Sequence, residues 1–357
     1  DAWWQARSIL PHLSGIKAAV LLVGGWYDAE DLYGPLKIHR AMTEQNPKLN
    51  LRLVMGPWSH GGWVRTPGDK LGDAHFGFET SAYYKEHIEL AFFRQHLKGG
   101  DKAKDPPVLA FETGANRWRA LSAWPPKKLR EVTFYLGAAG NLSQTKPTAK
   151  DAAHDAWISD PARPVPYTML FQPRMAKPYM TEDQRFAAYR PDVMVYRSEV
   201  LKEDLTLAGP MAVKLWVSTS QTAADFVVKV IDEVPGRVLS KGEPDVDGGK
   251  QLLVRGDIMR GRYRNSFSEP IPFVANEPAA VAFELLDVLH TFKRGHRLVV
   301  HVQSSWFPLA DRNPQRYVTN IYKAKAEDYV KAEHHLYRSA TMPSRLVVGV
   351  LPAGEGQ

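Results

Sequence analysis

Residues 18–34, "AAVLLVGGWYDAEDLYG", decide how the chain is built. The apolar run 18–27 is interrupted only by a glycine pair and ends at a cluster of acids, Asp28, Glu30 and Asp31. An apolar run of that length suits a strand covered on both faces of a parallel sheet. From Leu32 onward the spacing of Leu32, Leu36, His39 and Met42 is helical, and the pattern ends before Pro47. "NLRLVMGPWSHGG" (50–62) is a second apolar strand closed by Gly56-Pro57. "TSAYYKEHIELAFFRQHLKGG" (80–100) is an amphipathic helix with Thr80 or Ser81 as N-cap and Gly99 just past its end. Strand, helix, strand, helix is a βαβα unit, and such units place their functional loops at the carboxyl ends of the strands.

After "DKAKDPP" (101–107) the texture changes to alternating segments separated by Gly, Pro, Asn and Asp clusters. These are "EVTFYL" (131–136), "MAVKLWVSTS" (211–220), "DFVVKVIDEV" (225–234), "QLLVRGDIM" (251–259), "AVAFELLDVLHTF" (280–292), "HRLVVHVQSS" (296–305) and "SRLVVGVL" (344–351). Many short strands without intervening helices indicate an antiparallel sandwich of the jelly-roll kind. The expected organisation is therefore a partial α/β unit over 1–105 and an all-β domain over 106–357.

Composition narrows the function classes. A chain of 357 residues with 44% hydrophobic and 24% charged content can bury a sizeable core. No apolar stretch is long enough to span a membrane, so no membrane partner is expected. The net charge of +7 is spread over scattered Lys and Arg, which describes a solvated surface rather than a nucleic-acid footprint. Cysteine is absent, which removes disulfides, thiolate metal sites and cysteine nucleophiles while leaving the compartment open. No phosphate loop or dinucleotide fingerprint occurs, so no cofactor is expected. His87 and His96 lack the i, i+4 spacing of a metalloprotease helix, His334-His335 has no ligand partner nearby in sequence, and "DVDGG" (245–249) reads as a turn, so no metal is expected either.

Asp28 stands just beyond the first strand and His60 just beyond the second. An α/β-hydrolase uses those positions for its acid and its histidine, in the chain order Ser, Asp, His. The acid holds one ring nitrogen so that the other can accept the serine proton and return it to the leaving group. By pattern alone, Asp28 also suits a turn or helix cap, and "GPWSHGG" an ordinary Pro-Gly turn. Trp26, Tyr27 and Trp58 flank the pair, as walls of an acyl pocket or as plain core.

"GGWYDAEDLYG" followed by "RLVMGPWSHGG", "LGDAHFG" and "YYKEHIELAFFRQHLKG" resembles the cocaine-esterase-like branch of the Xaa-Pro dipeptidyl-peptidase (S15) hydrolases. "VLAFETGANRWRALSAWPP" and "HTFKRGHRLVVHVQSSWFPLADRNP" resemble the start and the final strands of that family's carboxy-terminal jelly roll. The resemblance runs through nearly the whole chain. It implies the carboxy-terminal part of an α/β-hydrolase sheet followed by a jelly-roll, galactose-binding-like sandwich, with Asp28 as triad acid and His60 as triad base. Within the family the likeness points to the α-amino acid ester hydrolase and glutaryl-7-ACA acylase branch. In the α-amino acid ester hydrolases a carboxylate cluster binds the substrate's α-ammonium group, and the matching positions here hold Glu30 and Asp31. The alternative for Asp31 is an N-cap on the following helix, with Glu30 facing solvent.

No G-x-S-x-G occurs, and residues 1–105 are too few for a complete hydrolase sheet. Ser14 and Ser59 lie in the wrong contexts for a nucleophile elbow. The expectation is that the chain begins at a cut or processed boundary, and that the nucleophile lies in the amino-terminal half of the same hydrolase. The expected partners are that half, a small ester or amide or a short peptide as substrate, and a second copy in a homo-oligomer. A different class stays open: a carbohydrate-binding jelly roll carrying an inactive hydrolase remnant.

Overall fold

The computed structural model describes residues 2–99, 105–150, 153–236, 245–352 and 354. Two parallel strands, β1 (Val20–Gly25) and β2 (Leu51–Gly56), pair in register from Val20 opposite Leu51 to Gly25 opposite Gly56. The helix Tyr33–Gln45 crosses between them and buries Leu36, His39 and Met42, the face its spacing marks out. From Arg52 onward β2 is buried, whereas β1 is half-buried through Val23 because it forms the edge of this sheet. The sequence divides in texture near residue 105, and residues 101–104 lie outside the described residues. The sheet itself continues beyond that point: Val108–Glu112 adds in parallel to β2, and Arg117–Leu121 turns back on it as an antiparallel hairpin.

The expected helix over 80–98 is present as three successive segments: Thr80–Tyr83, a π-helical stretch Tyr84–Glu89, and Leu90–Lys98. Gly99 ends it at φ +67°, the left-handed stop that glycine adopts without strain. The start differs from expectation. Glu79 occupies the cap position, and neither Thr80 nor Ser81 caps the helix. Both hydroxyls are instead recruited by the loop after β2. Thr80 Oγ1 donates to the Gly68 carbonyl and accepts the Trp58 indole N–H, and Ser81 Oγ donates to the Gly62 carbonyl.

The remainder of the chain is an antiparallel sandwich. One sheet orders Val193–Arg197, Arg297–Gln303, Asp225–Glu233 and Gln251–Arg260. The other runs from Leu142–Ser143 through Arg130–Leu136, Arg345–Val350, Leu205–Thr219 and Ala332–Tyr337 to His154–Ser159, with Ala279–Phe292 also paired to Leu205–Thr219. Period-two alternation builds two cores from the same strands. Along Asp225–Glu233, Phe226, Val228 and Val230 fill the space between the sheets. Val227 and Ile231 point the other way and join Trp26, Tyr27, Leu53 and Phe111 of the α/β unit in one buried cluster. The α/β unit and the sandwich therefore share a core. All seven alternating segments read from sequence are strands. The short strands His154–Ser159 and Ala332–Tyr337 mix polar and apolar residues too closely to be recognised by alternation, and Val193–Arg197 is a five-residue, mostly apolar run with no alternation to read.

His334 shows what that inter-sheet core costs a polar residue. It is fully buried against the rings of Trp157 and Phe226, and neither ring nitrogen has a hydrogen-bond partner among the described residues. Burial, with a smaller contribution from His335, pushes its pKa down to about 3, and burial pushes His301 well below the ordinary histidine value. Both stay neutral in the folded chain where unfolded imidazoles take up protons, so the unfolded state binds more protons below about pH 6.5 and stability falls as pH drops. In the complete protein, stability is expected to decline from about pH 6.5 to about pH 5, above the range of ordinary carboxylates. His334→Phe should remove up to roughly 1.4 kcal/mol per pH unit of that slope. Denaturant titrations across the window measure it, and an unchanged slope in the variant contradicts the assignment.

Candidate active site

The pairing of β1 with β2 outlasts the strands. Trp26 N–H donates to the Gly56 carbonyl at 2.8 Å and Tyr27 N–H to the Trp58 carbonyl at 3.0 Å, so the two loops leave the sheet side by side. This closeness requires glycine at position 25, where a Cβ would lie 2.1 Å from the Trp58 carbonyl oxygen. The chain then turns, with Asp28 N–H donating to the Gly25 carbonyl.

Asp28 is held by its own loop. Its Oδ1 accepts the backbone N–H groups of Glu30 and Asp31, both at 2.9 Å. His60 arrives from the end of β2, placed by the Pro57 stop and by a tight turn in which Gly62 N–H donates to the Ser59 carbonyl and Gly61 takes φ +66°. The structure brings the two together: His60 Nδ1 lies 3.0 Å from Asp28 Oδ2 and 3.2 Å from Oδ1. A carboxylate only accepts, so this contact puts a proton on Nδ1, and in the neutral ring Nε2 is then the nitrogen that keeps its lone pair. The side chain of Asp28 is 4% exposed and that of His60 40%, so the acid is sealed beneath a base that is open to a reacting group. This is the geometry by which an imidazole can take a proton from a hydroxyl and return it to a leaving group. Among the described residues no serine hydroxyl is hydrogen-bonded to His60.

The two further acids separate in role. Glu30 is exposed, and its Oε2 lies 3.9 Å from His60 Nε2, on the open side of the ring. Asp31 is also exposed, and its Oδ1 accepts the Gly34 N–H at 2.9 Å in the first turn of the helix Tyr33–Gln45. A negative group there satisfies an otherwise unpaired helix N–H and faces the positive end of the helix dipole.

Trp26, Tyr27 and Trp58, read from sequence as pocket walls or as plain core, sit as core in the structure. All three are buried, at 2%, 5% and 2% exposure. The Trp26 indole donates to the Phe111 carbonyl and packs on Trp124, Tyr27 stacks on Phe76, and Trp58 donates to Thr80. Large apolar bodies with one satisfied polar tip belong in a core, and these three form the floor beneath the pair. His39 is a buried residue of its helix, its pKa lowered by burial. The segment 245–249 is a turn, closed by Gly248 N–H to the Asp245 carbonyl.

Sequence patterns gave no sign of one neighbour of the site. The irregular excursion 160–192 of the sandwich packs onto the loop that follows His60. Thr181 Oγ1 donates to the Leu71 carbonyl, Asp183 N–H to Asp73, and Lys177 Nζ reaches the His60 carbonyl at 3.5 Å. The same segment leaves Met169, Leu170 and Phe171 exposed along a groove of about 640 Å³. It lacks both helical and strand periodicity, so only its tertiary contacts reveal it.

Comparison with known proteins matches the chain to two family models in succession. Residues 1–62 match the X-Pro dipeptidyl-peptidase (S15 family) model, and residues 101–347 match the X-Pro dipeptidyl-peptidase C-terminal non-catalytic domain. Cocaine esterase of Rhodococcus sp. (strain MB1 Bresler) is 31% identical over 98% of this chain and 59% of its own length. An aminopeptidase from a marine sediment Thaumarchaeota archaeon superposes with a TM-score of 0.92 at 37% identity, over 99% of this chain and 58% of that one. An α-amino acid ester hydrolase superposes with a TM-score of 0.90 at 39% identity, over 98% and 59%. The chain thus spans under two thirds of the length of each of these relatives.

The capping contact of Asp31 is measurable apart from any activity. Asp31→Ala should cost about 1 kcal/mol of stability, and Asp31→Ser, which keeps an acceptor for Gly34 N–H, less than about half of that. Denaturant unfolding of the complete protein reads both, and equal losses for Ala and Ser contradict the cap.

Proposed function

The chain belongs to the X-Pro dipeptidyl-peptidase (S15) and CocE/NonD family of serine hydrolases, and from that membership we propose that it supplies the acid and the base of an acyl-transfer site. In this reading Asp28 orients His60 through Nδ1, and His60 Nε2 activates a serine contributed by the amino-terminal half of the hydrolase. The hydroxyl attacks the carbonyl of an ester or amide as His60 takes its proton. His60 then returns that proton to the departing alcohol or amine, leaving an acyl-enzyme. A water molecule, deprotonated by the same imidazole, releases the acid. The observation that carries this reading is the hydrogen bond of 3.0 Å between a sealed carboxylate and a half-open imidazole at adjacent parallel strand ends.

The substrate class proposed is esters or amides of α-amino acids, including β-lactam side chains. Glu30 supports it, because its exposed carboxylate stands 3.9 Å from the free nitrogen of His60, where an α-ammonium group beside the scissile carbonyl would come to rest. Asp31, next in sequence, has its Oδ1 engaged by the helix N–H of Gly34, which leaves Glu30 as the acid that carries the proposal. The relatives that are an aminopeptidase and an α-amino acid ester hydrolase by description act on substrates of this chemistry. The contact of an exposed pair is worth only about 0–1 kcal/mol, so it selects among substrates far more than it drives the reaction.

Two measurements on the complete protein test the reading. His60→Ala should lower ester turnover by at least about a thousandfold, and turnover within about tenfold of wild type overturns the triad assignment. N-acetylation of an amino ester should lower kcat/KM for the wild type by about three- to fivefold and leave Glu30→Gln almost indifferent to the acetyl group. An unchanged specificity constant on acetylation overturns the ammonium role and leaves a dipeptidyl peptidase or a less selective carboxylic ester hydrolase.

A further inference from the structure

We propose that Arg255, in the sandwich domain, is a positioning residue for the Asp28 carboxylate, acting through the backbone of Trp26; this rests on the triad assignment above. Arg255 lies in the strand Gln251–Arg260 and is 3% exposed. One nitrogen of its guanidinium, Nη2, donates both to the Trp26 carbonyl at 2.7 Å and to the Asp287 carbonyl at 3.0 Å. Among the described residues its Nε and Nη1 have no hydrogen-bond partner, and no carboxylate forms an ion pair with it. The acids that it faces, Asp257 and Asp287, have their carboxyl pKa values raised, burial being the main cause, and burial lowers that of Arg255 itself.

A guanidinium buried without an ionic partner is costly to the fold, and an apolar side chain of similar length would fill the space at less cost. What an apolar side chain cannot do is bind a carbonyl. The carbonyl in question belongs to the peptide plane between Trp26 and Tyr27. That plane is held at its other edge by Tyr27 N–H on the Trp58 carbonyl, so the loop leaving β2 fixes one side and the sandwich fixes the other. Asp28 follows directly. Rotation of this plane would swing Asp28 away from His60, whose own position is set by the end of β2. Arg255 removes that freedom.

The next residue is tied to the sandwich as well. The buried Tyr27 shares one apolar cluster with Val227 and Ile231 of the sandwich, and its phenol lies beside Thr113. Thr113 Oγ1 lies 2.8 Å from His290 Nδ1, His290 Nε2 lies 3.2 Å from Asp232 Oδ2, and Asp232 Oδ1 lies 2.8 Å from His296 Nδ1. The Thr–His–Asp order resembles a hydrolytic triad, but Thr113, His290 and Asp232 are all buried, so the chain of contacts is a strut and not a second site. The domain matched as non-catalytic thus holds Trp26 and packs against Tyr27, two consecutive residues of the loop that presents Asp28.

A double-mutant cycle in the complete protein tests this, with kcat and KM measured separately on an ester substrate. Arg255→Met should lower kcat by about ten- to a hundredfold with KM changed less than about twofold, and Arg255→Lys, which restores a donor, should recover part of the loss. In an Asp28→Asn background the same Arg255→Met change should alter kcat by less than about twofold, because the carboxylate being positioned is gone. An equal loss in both backgrounds, or a loss confined to KM, overturns the proposal. Should Arg255→Met fail to fold, Arg255→Lys carries the same comparison. If Asp28→Asn alone keeps kcat within about tenfold of wild type, the triad assignment fails first, and this inference with it.

Discussion

Two backbone hydrogen bonds beyond the ends of β1 and β2 carry the rest of this molecule: Trp26 N–H to the Gly56 carbonyl and Tyr27 N–H to the Trp58 carbonyl. They continue a parallel ladder past the point where the strands stop, so two loops that are distant in sequence emerge in register. The register decides that Asp28 meets His60. It also fixes which residues cannot vary, since the loops approach too closely for any side chain at Gly25. The aromatic residues around the pair serve this constraint from below. Trp26, Tyr27 and Trp58 fill the space under the loops, and the two indole N–H groups are satisfied on Phe111 and Thr80.

The sandwich is part of the same construction. Its strands alternate, and the alternate face that does not enter the inter-sheet core lies against the α/β unit, where Val227, Ile231, Leu253 and Val299 complete one buried cluster with Trp26 and Tyr27. Polar residues on that face occupy a dry environment. Lys229 shows the cost: fully buried, with its Nζ donating to Gln184, its pKa falls to about 7, desolvation being the main cause. Arg255 shows the return, because a donor placed in that environment can hold a carbonyl of the acid loop. A domain joined to the α/β unit through a shared core is in a position to influence the geometry of the site as well as to cover it.

Much of this was legible in the sequence. The apolar run ending in Gly-Gly and the run ending in Gly-Pro named two parallel strands, and their ends named Asp28 and His60. Segments such as "DFVVKVIDEV" and "SRLVVGVL" alternate strongly enough to be strands in any setting. The failures share a physical cause, which is that periodicity reports how a residue faces and not what covers it. Arg255 in "QLLVRGDIM" reads as an outward polar residue, and only the packing of that face against Trp26 buries it. Thr80 has the chemistry of an N-cap, yet the loop after β2 takes its hydroxyl. The aromatic residues beside Asp28 and His60 suit a pocket wall and a core floor equally by composition, and burial decides between them. The excursion 160–192 has no period to read, so its grip on the loop after His60 exists only in three dimensions.

The most direct test of the central claim is fluorophosphonate labelling of the complete protein, with the modified peptide mapped and the rate compared with that of His60→Ala. The account expects a single labelled serine outside these 357 residues and a labelling rate that falls by at least about a hundredfold without His60. A label on a serine within these residues, or a rate indifferent to His60, would contradict it.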